Sequence, residues 1–150
     1  MKSSEILIID DDINDIDLTL RALEGLFDRK ELIVANDGAE ALDILLRRGV
    51  YAEKKPVTPS LILVDRKMPR MDGIEFLQKV RKIENLKFIP VVLFTSSNYE
   101  KDIQDSYSYG ANGYVVKPIN TDDYFKTVKL IALYWTTANE SVSFKIDTIL

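Results

Sequence analysis

The chain has 150 residues, 46% of them apolar, and a formal net charge of −4 from 24 acidic and 20 basic side chains. This length suits one domain with a hydrophobic core, and the acidic balance gives no reason to expect nucleic-acid binding through bulk charge. Because the sequence contains no cysteine and no histidine, it excludes disulfides, cysteine nucleophiles, the usual zinc ligands and a phosphohistidine within this chain.

The N-terminal region shows no targeting or membrane signal. Its apolar run, Ile6–Ile9, is far too short for a signal peptide or a membrane span. We therefore expect a cytoplasmic protein without a membrane partner.

Short aliphatic runs alternate with segments of helical periodicity along most of the chain. Such runs are typical of strands buried on both faces, whereas apolar residues spaced three and four apart mark a helix face. In chain order, the sequence predicts strand Glu5–Asp10, helix Asn14–Phe27, strand Leu32–Ala35, helix Gly38–Arg48, strand Ser60–Asp65, helix Ile74–Ile83, strand Phe88–Phe94, helix Tyr99–Tyr109, strand Gly113–Val116 and helix Thr121–Trp135.

This alternation of strands and helices predicts an α/β domain. Because crossovers between parallel strands are right-handed, the helices should cover both faces of one parallel sheet. No linker rich in Gly, Pro or Ser divides the chain, so we expect one domain over residues 1–138 and a C-terminal extension over residues 139–150. In the extension, Val142, Phe144 and Ile146 alternate with polar residues, which would suit an added strand or a surface cover.

Acidic residues lie where two of the predicted strands end. Asp10, Asp11 and Asp12 follow the first strand, and Asp65 ends the third. Ligands of doubly wound sheets bind beyond the carboxyl ends of the strands, so these carboxylates converge if the two strands are neighbours. Two carboxylates about 4 Å apart repel by about 4 kcal/mol at an effective dielectric of about 20, which favours a bound proton or a cation. Few carboxylates with open water positions suit Mg²⁺ better than Ca²⁺.

A hydroxyl and an ammonium group follow the next two strands. Thr95 closes the fourth strand and Lys117 follows the fifth. Each group alone has an ordinary explanation: Asp10–Asp12 as a solvated turn and helix cap, Thr95 as a strand-end cap, and Lys117 as a solvated charge. Together they form a phosphoryl site, with Asp65 as nucleophile, Mg²⁺ and Lys117 neutralising phosphoryl oxygens, and Thr95 donating a hydrogen bond.

The same residues carry a resemblance to a known family. Over Glu5–Trp135 the sequence resembles the receiver domains of bacterial response regulators, of which CheY is typical. The motifs occur in order at the family spacings: Ile9-Asp10-Asp11, Leu63-Val64-Asp65, Met68-Pro69, Met71-Asp72-Gly73, Thr95-Ser96 and Tyr114 through Lys117-Pro118. The resemblance implies a flavodoxin-like, doubly wound (βα)₅ fold with strand order 2-1-3-4-5. It further implies a single-domain regulator of a two-component phosphorelay, which catalyses its own phosphorylation and dephosphorylation and is otherwise no enzyme.

The resemblance assigns roles to the acidic residues. Asp65 would accept a phosphoryl group from a phosphohistidine on a partner histidine kinase. Asp11 and Asp65 would ligate Mg²⁺ directly, and the backbone carbonyl of Lys67 would be the third protein ligand. Asp10 would act on the metal through a water molecule.

The resemblance also assigns a switch. Lys117 would contact the phosphoryl group, the peptide bond before Pro118 would be cis, and Thr95 and Tyr114 would be the pair that reorients on phosphorylation. Physically, a phosphoryl group on Asp65 adds charge and acceptors near Thr95; if Thr95 moves inward, Tyr114 can rotate into the vacated space. The alternative for Tyr114 is an ordinary amphipathic residue at a strand edge.

Two basic residues, Arg66 and Lys67, directly follow the acceptor. We interpret Arg66 as a solvated loop residue. For the side chain of Lys67 the hypothesis is that it shields the phosphoaspartate from water or helps to dock an anionic donor.

Other features resemble a narrower group within the family. The long connection Gly49–Pro59, the strand Ile89–Val92, the pair Tyr134-Trp135 and the tail are similar to stand-alone regulators that serve phytochrome-type histidine kinases. Related stand-alone regulators serve other sensor kinases, so the cognate kinase stays open. No output domain fits in the remaining residues, so we expect output through a protein contact, a dimer or phosphate relay.

Aromatic residues are concentrated in the last third of the sequence. The face built from Tyr99–Tyr109, Gly113–Val116 and Thr121–Trp135 contains Tyr99, Tyr107, Tyr109, Tyr114, Tyr124, Phe125, Tyr134 and Trp135. One helix stripe cannot bury all of them, and exposed aromatics suit an interface. We expect a homodimer through this face, strengthened by phosphorylation, and no nucleic-acid partner. A tail that packs only on its own helix is the alternative.

Four other classes of protein share parts of the pattern. A haloacid dehalogenase-type phosphatase would use Asp10 as nucleophile, but it leaves Asp65 unexplained and usually carries a cap that this length does not accommodate. In a flavodoxin-like FMN binder the acidic first loop would repel the phosphate. A calcium loop starting at Asp10 has Asp15 where glycine is needed and Arg21 in place of the bidentate glutamate. A degenerate receiver that serves only as a scaffold conflicts with the presence of every site residue.

Overall fold

The computed structural model describes residues 3–142, in which five parallel strands form one sheet flanked by five helices. The strands are β1 (Ile6–Ile9), β2 (Leu32–Ala35), β3 (Leu61–Val64), β4 (Val91–Thr95) and β5 (Gly113–Val116). The helices are α1 (Ile13–Leu23), α2 (Gly38–Leu46), α3 (Gly73–Lys82), α4 (Glu100–Ser108) and α5 (Thr121–Leu133). The strand order is β2-β1-β3-β4-β5, which confirms the predicted doubly wound fold.

Two hydrophobic layers enclose the sheet. On one face, Leu7 and Ile62 pack with Phe76 of α3 and Leu42 of α2. On the other face, the intervening strand residues pack against α1 and α5, as Ile8 does with Val128. Because neighbouring residues of β1 and β3 point to opposite, equally buried faces, both strands are continuous aliphatic runs.

Acidic side chains cap the first three helices, α1, α2 and α3. Asp12 accepts hydrogen bonds from the backbone N–H groups of Asn14 and Asp15 and thereby starts α1. Asp37 caps α2, and Asp72 forms a capping box with Glu75 at the start of α3. The helix-cap interpretation therefore holds for Asp12, and a cap of this kind contributes about 1 kcal/mol.

Several element ends differ from the sequence prediction for local reasons. The fourth strand begins at Val91 rather than Phe88, because Pro90 has no N–H to donate and Phe88 is 62% exposed. The first helix ends at Leu23 rather than Phe27, since Gly25 has a φ of 85° that a helix does not permit. The last helix passes into a wider π-helical turn over Tyr134–Ala138.

Two expectations concern the C-terminal part of the chain. The peptide bond before Pro118 was expected to be cis, but residues 3–142 contain no cis bond, so that expectation is wrong for this structure. The trans form is the lower in energy by about 0.5–1 kcal/mol for a bond before proline. The alternating segment ending at Ile146 reaches beyond the described residues; of its apolar residues only Val142 is described, and it is exposed.

No helix within residues 3–142 is long and apolar enough to cross a membrane.

Gly73 generates a prediction about the packing of α3 against the end of β3. A Cβ atom at Gly73 would lie 2.2 Å from the carbonyl oxygen of Asp65, so Gly73→Ala must push the two elements apart. We expect a loss of about 1–3 kcal/mol in the free energy of unfolding, measured by urea denaturation. Gly113→Ala is the matched control, because its Cβ would meet Val92 at an ordinary 3.5 Å. Equal stability of the two variants would contradict this account.

Candidate functional site

The register of the central strands brings the acidic residues to one edge of the sheet. Ile9 pairs with Val64, so Asp10 and Asp65 are the next residues of two neighbouring strands. One carboxylate oxygen each from Asp10, Asp11 and Asp65 lies within 4.8 Å of the others. The predicted convergence is therefore present, and three carboxylates at this separation form an oxygen donor set of the type that hard divalent cations take.

Lys117 reaches the same point from the end of β5. Its backbone N–H donates to the carbonyl of Thr95 over 2.7 Å, which fixes the loop beside β4. Its ammonium nitrogen lies 2.7 Å from Asp10 Oδ2 and 3.0 Å from Asp65 Oδ2. A third carboxylate, that of Asp15 in the first turn of α1, also lies 2.7 Å away. The ammonium is thus enclosed by carboxylates from three elements, and only 5% of the side chain is exposed.

The enclosure changes the pKa values of both Asp10 and Lys117. Burial raises the pKa of Asp10 to about 6, although its hydrogen bond to Lys117 and the charge of that group act in the opposite direction. For Lys117 burial alone would lower the pKa, but the hydrogen bond and charge of Asp10, followed by Asp15 and Asp65, raise it above its usual value. Lys117 is therefore a permanent cation, whereas Asp10 is poised to exchange a proton near neutrality.

The two residues assigned to a switch lie next to this cluster. Thr95 ends β4 and is buried, and its hydroxyl lies 3.5 Å from the backbone nitrogen of Ser97. Tyr114 is half-buried on β5, and its hydroxyl donates to the carbonyl of Ser97 over 2.9 Å. Burial raises the pKa of Tyr114, with the Ser97 bond opposing. Both side chains therefore contact the same loop between β4 and α4.

Arg66 is not a solvated loop residue, contrary to the sequence interpretation. Its guanidinium group lies 3.3 Å from Asp102 of α4 and 3.9 Å from Asp72, and only 20% of the side chain is exposed. The Nε atom is buried, and among residues 3–142 it has no hydrogen-bond partner. Asp102 also accepts a hydrogen bond from the hydroxyl of Ser97. The residue after Asp65 thus connects the acidic cluster to α4.

Two further residues belong in the description of the site: Lys67, for which the sequence predicted a role, and Asp15, for which it did not. Lys67 lies in the loop after β3 with an exposed side chain, apart from the ion-pair cluster. Asp15 was considered only as a mismatch to a calcium loop. No local signal in the sequence predicts its role, because its partner Lys117 lies 102 residues away along the chain.

Comparison with known proteins agrees with this geometry. The family model "Response regulator receiver domain" matches residues 6–129. The response regulator Rcp1 of Synechocystis sp. is 38% identical over 130 residues, which cover 87% of each protein. The structure of the phosphorylated cyanobacterial phytochrome response regulator RcpA matches with a TM-score of 0.83 and 33% identity, over 93% of this chain and 98% of that one.

A second structure concerns metal binding. The Mn²⁺-bound form of Rcp1 matches with a TM-score of 0.83 and 34% identity, over 95% of this chain and all of that one. Its metal agrees with the oxygen donor set formed here by Asp10, Asp11 and Asp65. Because the family model and these relatives match over most of the sequence, the chain belongs to the response regulator receiver domain family of two-component signalling.

Proposed function

We propose that the chain accepts a phosphoryl group on Asp65 from the phosphohistidine of a sensor histidine kinase, with Mg²⁺ bound beside it. The observation that carries the proposal is the ammonium of Lys117, held 3.0 Å from Asp65 at the edge where three carboxylates converge. A buried cation next to a nucleophilic carboxylate can neutralise the oxygens of an incoming phosphoryl group. The phytochrome regulator RcpA among the structural relatives supports a phytochrome-type kinase as donor.

The residues present fit a magnesium ion. Asp11 and Asp65 would ligate it directly together with the backbone carbonyl of Lys67, and Asp10 would act through water. When bound, Mg²⁺ supplies charge neutralisation at the phosphoryl oxygens. An Asp65 oxygen then forms a bond to phosphorus as the phosphorus–nitrogen bond of the donor breaks, and the histidine nitrogen keeps the electron pair. Hydrolysis of the resulting acyl phosphate at the same site restores Asp65.

Phosphorylation would then act on the loop between β4 and α4. A phosphoryl group on Asp65 adds acceptor oxygens, toward which the hydroxyl of Thr95 can donate. Tyr114 already donates to Ser97 in this loop, and Arg66 contacts Asp102, which accepts from the same serine. Movement of the loop therefore changes the surroundings of both Tyr114 and Arg66. The loop would thus be a two-state element whose equilibrium is shifted by the charge on Asp65.

Apolar side chains outside the core support a homodimer as the output. Large side chains on the predicted aromatic face are exposed on all three of its segments: Tyr99, Tyr107, Tyr109, Val116, Leu130, Leu133 and Tyr134. Tyr124 is buried in the core, and Phe125 and Trp135 pack against it. The exposed set adjoins Tyr114 and the loop at Ser97, so a switch there can alter the affinity of two copies for each other.

The acceptor is tested by intact-mass spectrometry after incubation with acetyl phosphate. We expect one phosphoryl adduct that requires both Mg²⁺ and Asp65, and therefore no adduct on Asp65→Asn, because the carboxylate oxygen is the nucleophile. Asp43→Asn is the control, since this carboxylate pairs with Arg48 on the surface. An adduct that survives Asp65→Asn and disappears with Asp10→Asn would instead identify Asp10 as the nucleophile, as in a haloacid dehalogenase-type phosphatase.

The raised pKa of Asp10 predicts a pH-dependent metal affinity. As the pH falls through about 6, Asp10 takes up a proton and no longer attracts the cation. We expect the Mg²⁺ association constant, measured by titration calorimetry, to be steady above pH ~7 and to fall up to about tenfold per unit below pH ~6. Asp10→Asn should bind Mg²⁺ more weakly and with little pH dependence over this range. An unchanged wild-type affinity between pH ~5 and ~7 would be inconsistent with a protonating Asp10.

The same shift has a consequence for folding. In the metal-free protein, the raised pKa of Asp10 contributes stability that is fully present below its ordinary value of 3.8. This contribution is lost as the pH rises through about 6, because neither the folded nor the unfolded state then has the proton bound.

The dimer is tested by sedimentation of wild type and Tyr107→Glu, with and without beryllofluoride as a phosphoryl mimic. Tyr107 is 50% exposed on α4, so a charge there should weaken association by about tenfold or more without unfolding the domain. Ile13→Glu is the matched control, because Ile13 is 78% exposed but lies on α1, outside this face. A wild type that stays monomeric in both states, or equal weakening by the control, would refute the dimer.

A further inference from the structure

We propose that Asp15 is a positioning residue, which acts on the reaction of Asp65 by fixing the ammonium of Lys117. This inference rests on the proposed phosphorylation of Asp65. Its starting point is the 2.7 Å contact between Asp15 Oδ2 and the ammonium nitrogen, equal to the contact made by Asp10. Among the carboxylates around Lys117, Asp15 is the one outside the group that can hold a metal ion.

The number of donors on Lys117 gives Asp15 its significance. An ammonium group has three N–H bonds, and in this structure they point to Asp10, Asp15 and Asp65. A bound metal ion would share Asp10, and a transferred phosphoryl group would be bonded to Asp65, so both of these contacts would change in the reaction. The contact with Asp15 involves neither the metal site nor the acceptor, so it is the one that can persist in both states. It therefore aims the remaining N–H at Asp65 before and after transfer.

Asp15 itself is held rigidly between two helices. Its backbone N–H donates to the cap Asp12, and its backbone carbonyl accepts a hydrogen bond from the hydroxyl of Tyr124 over 3.3 Å. Tyr124 is buried on α5, packs edge-to-face on Phe94 and contacts the hydroxyl of Thr19. The backbone of Asp15 is thus held by the packing of α1 on α5, through contacts that do not involve Asp65 or the β3 end.

The side chain of Lys117 needs such a fixed point. A lysine has four rotatable bonds and loses much conformational freedom when its ammonium is held in one place. Phe94 limits it on one side, with the ring centre 5.8 Å from the nitrogen. If the Asp15 contact is lost, the ammonium keeps Asp10 and Asp65 but can swing between them. A catalytic group that is displaced in this way loses rate even though its charge is intact.

The experiment compares initial rates of Asp65 phosphorylation by acetyl phosphate at saturating Mg²⁺. We expect Asp15→Ala to react about tenfold more slowly than wild type, and Asp15→Asn, which keeps an acceptor oxygen but no charge, to be intermediate. The Mg²⁺ affinity should change by less than about twofold, because Asp15 is not a ligand. Asp17→Ala is the matched control: the same charge is removed from α1, but Asp17 pairs with Arg21 on the surface.

A double-mutant cycle shows whether Asp15 acts through Lys117. In a Lys117→Ala background, Asp15→Ala should cause no further loss of rate, because the group that it positions is absent. Independently, the ¹H–¹⁵N signal of the Lys117 ammonium should be sharp in metal-free wild type and in Asp17→Ala. It should broaden or disappear in Asp15→Ala, as its protons exchange faster with water.

The outcomes separate the two proposals. If wild type takes up no phosphoryl group, the proposed function fails and the positioning role fails with it. If wild type reacts but Asp15→Ala reacts at the same rate or faster, only the positioning role fails. The same holds if the losses of rate from Asp15→Ala and Lys117→Ala are additive, since Asp15 would then act without Lys117.

Discussion

The ammonium group of Lys117 is the constraint around which the site is organised. A buried charge without partners costs several kcal/mol, so a fold that buries this group must deliver carboxylates to it from elsewhere in the chain. They come from the ends of β1 and β3 and from the first turn of α1. The register that pairs Ile9 with Val64 and Thr95 with Val116 is what lets all of these groups meet.

The negative charge of the cluster is also incompletely neutralised by Lys117. Carboxylates outnumber the ammonium, and burial already raises the pKa of Asp10 to about 6 in the presence of Lys117. A divalent cation would relieve the same repulsion without a proton. Lys117, whose own pKa is raised chiefly by Asp10, stays charged among these carboxylates.

From this cluster a short chain of contacts leads to the surface. Arg66 directly follows Asp65 and forms an ion pair with Asp102 on α4. Asp102 accepts a hydrogen bond from the hydroxyl of Ser97. The backbone carbonyl of Ser97 in turn accepts a hydrogen bond from Tyr114. The segments that carry these groups also present the exposed apolar side chains. A change of charge at Asp65 is therefore only a few contacts away from a surface that can bind another molecule. These contacts can adopt a second arrangement only if the loop at Ser97 moves.

We could predict from the sequence the alternation of strands and helices, the order in which the motifs occur, and the candidate site residues Asp10, Asp11, Asp65 and Lys117. These follow from local patterns, since a strand buried on both faces is a continuous aliphatic run and a strand end is marked by its first polar residue. The ends of β4 and α1 were less predictable, because Pro90 and Gly25 act on only a few residues. The contacts of Asp15 with Lys117 and of Arg66 with Asp102 became apparent from the three-dimensional packing alone. These partners lie far apart in sequence, and an isolated charge gives no local signal of the opposite charge that packing will bring to it.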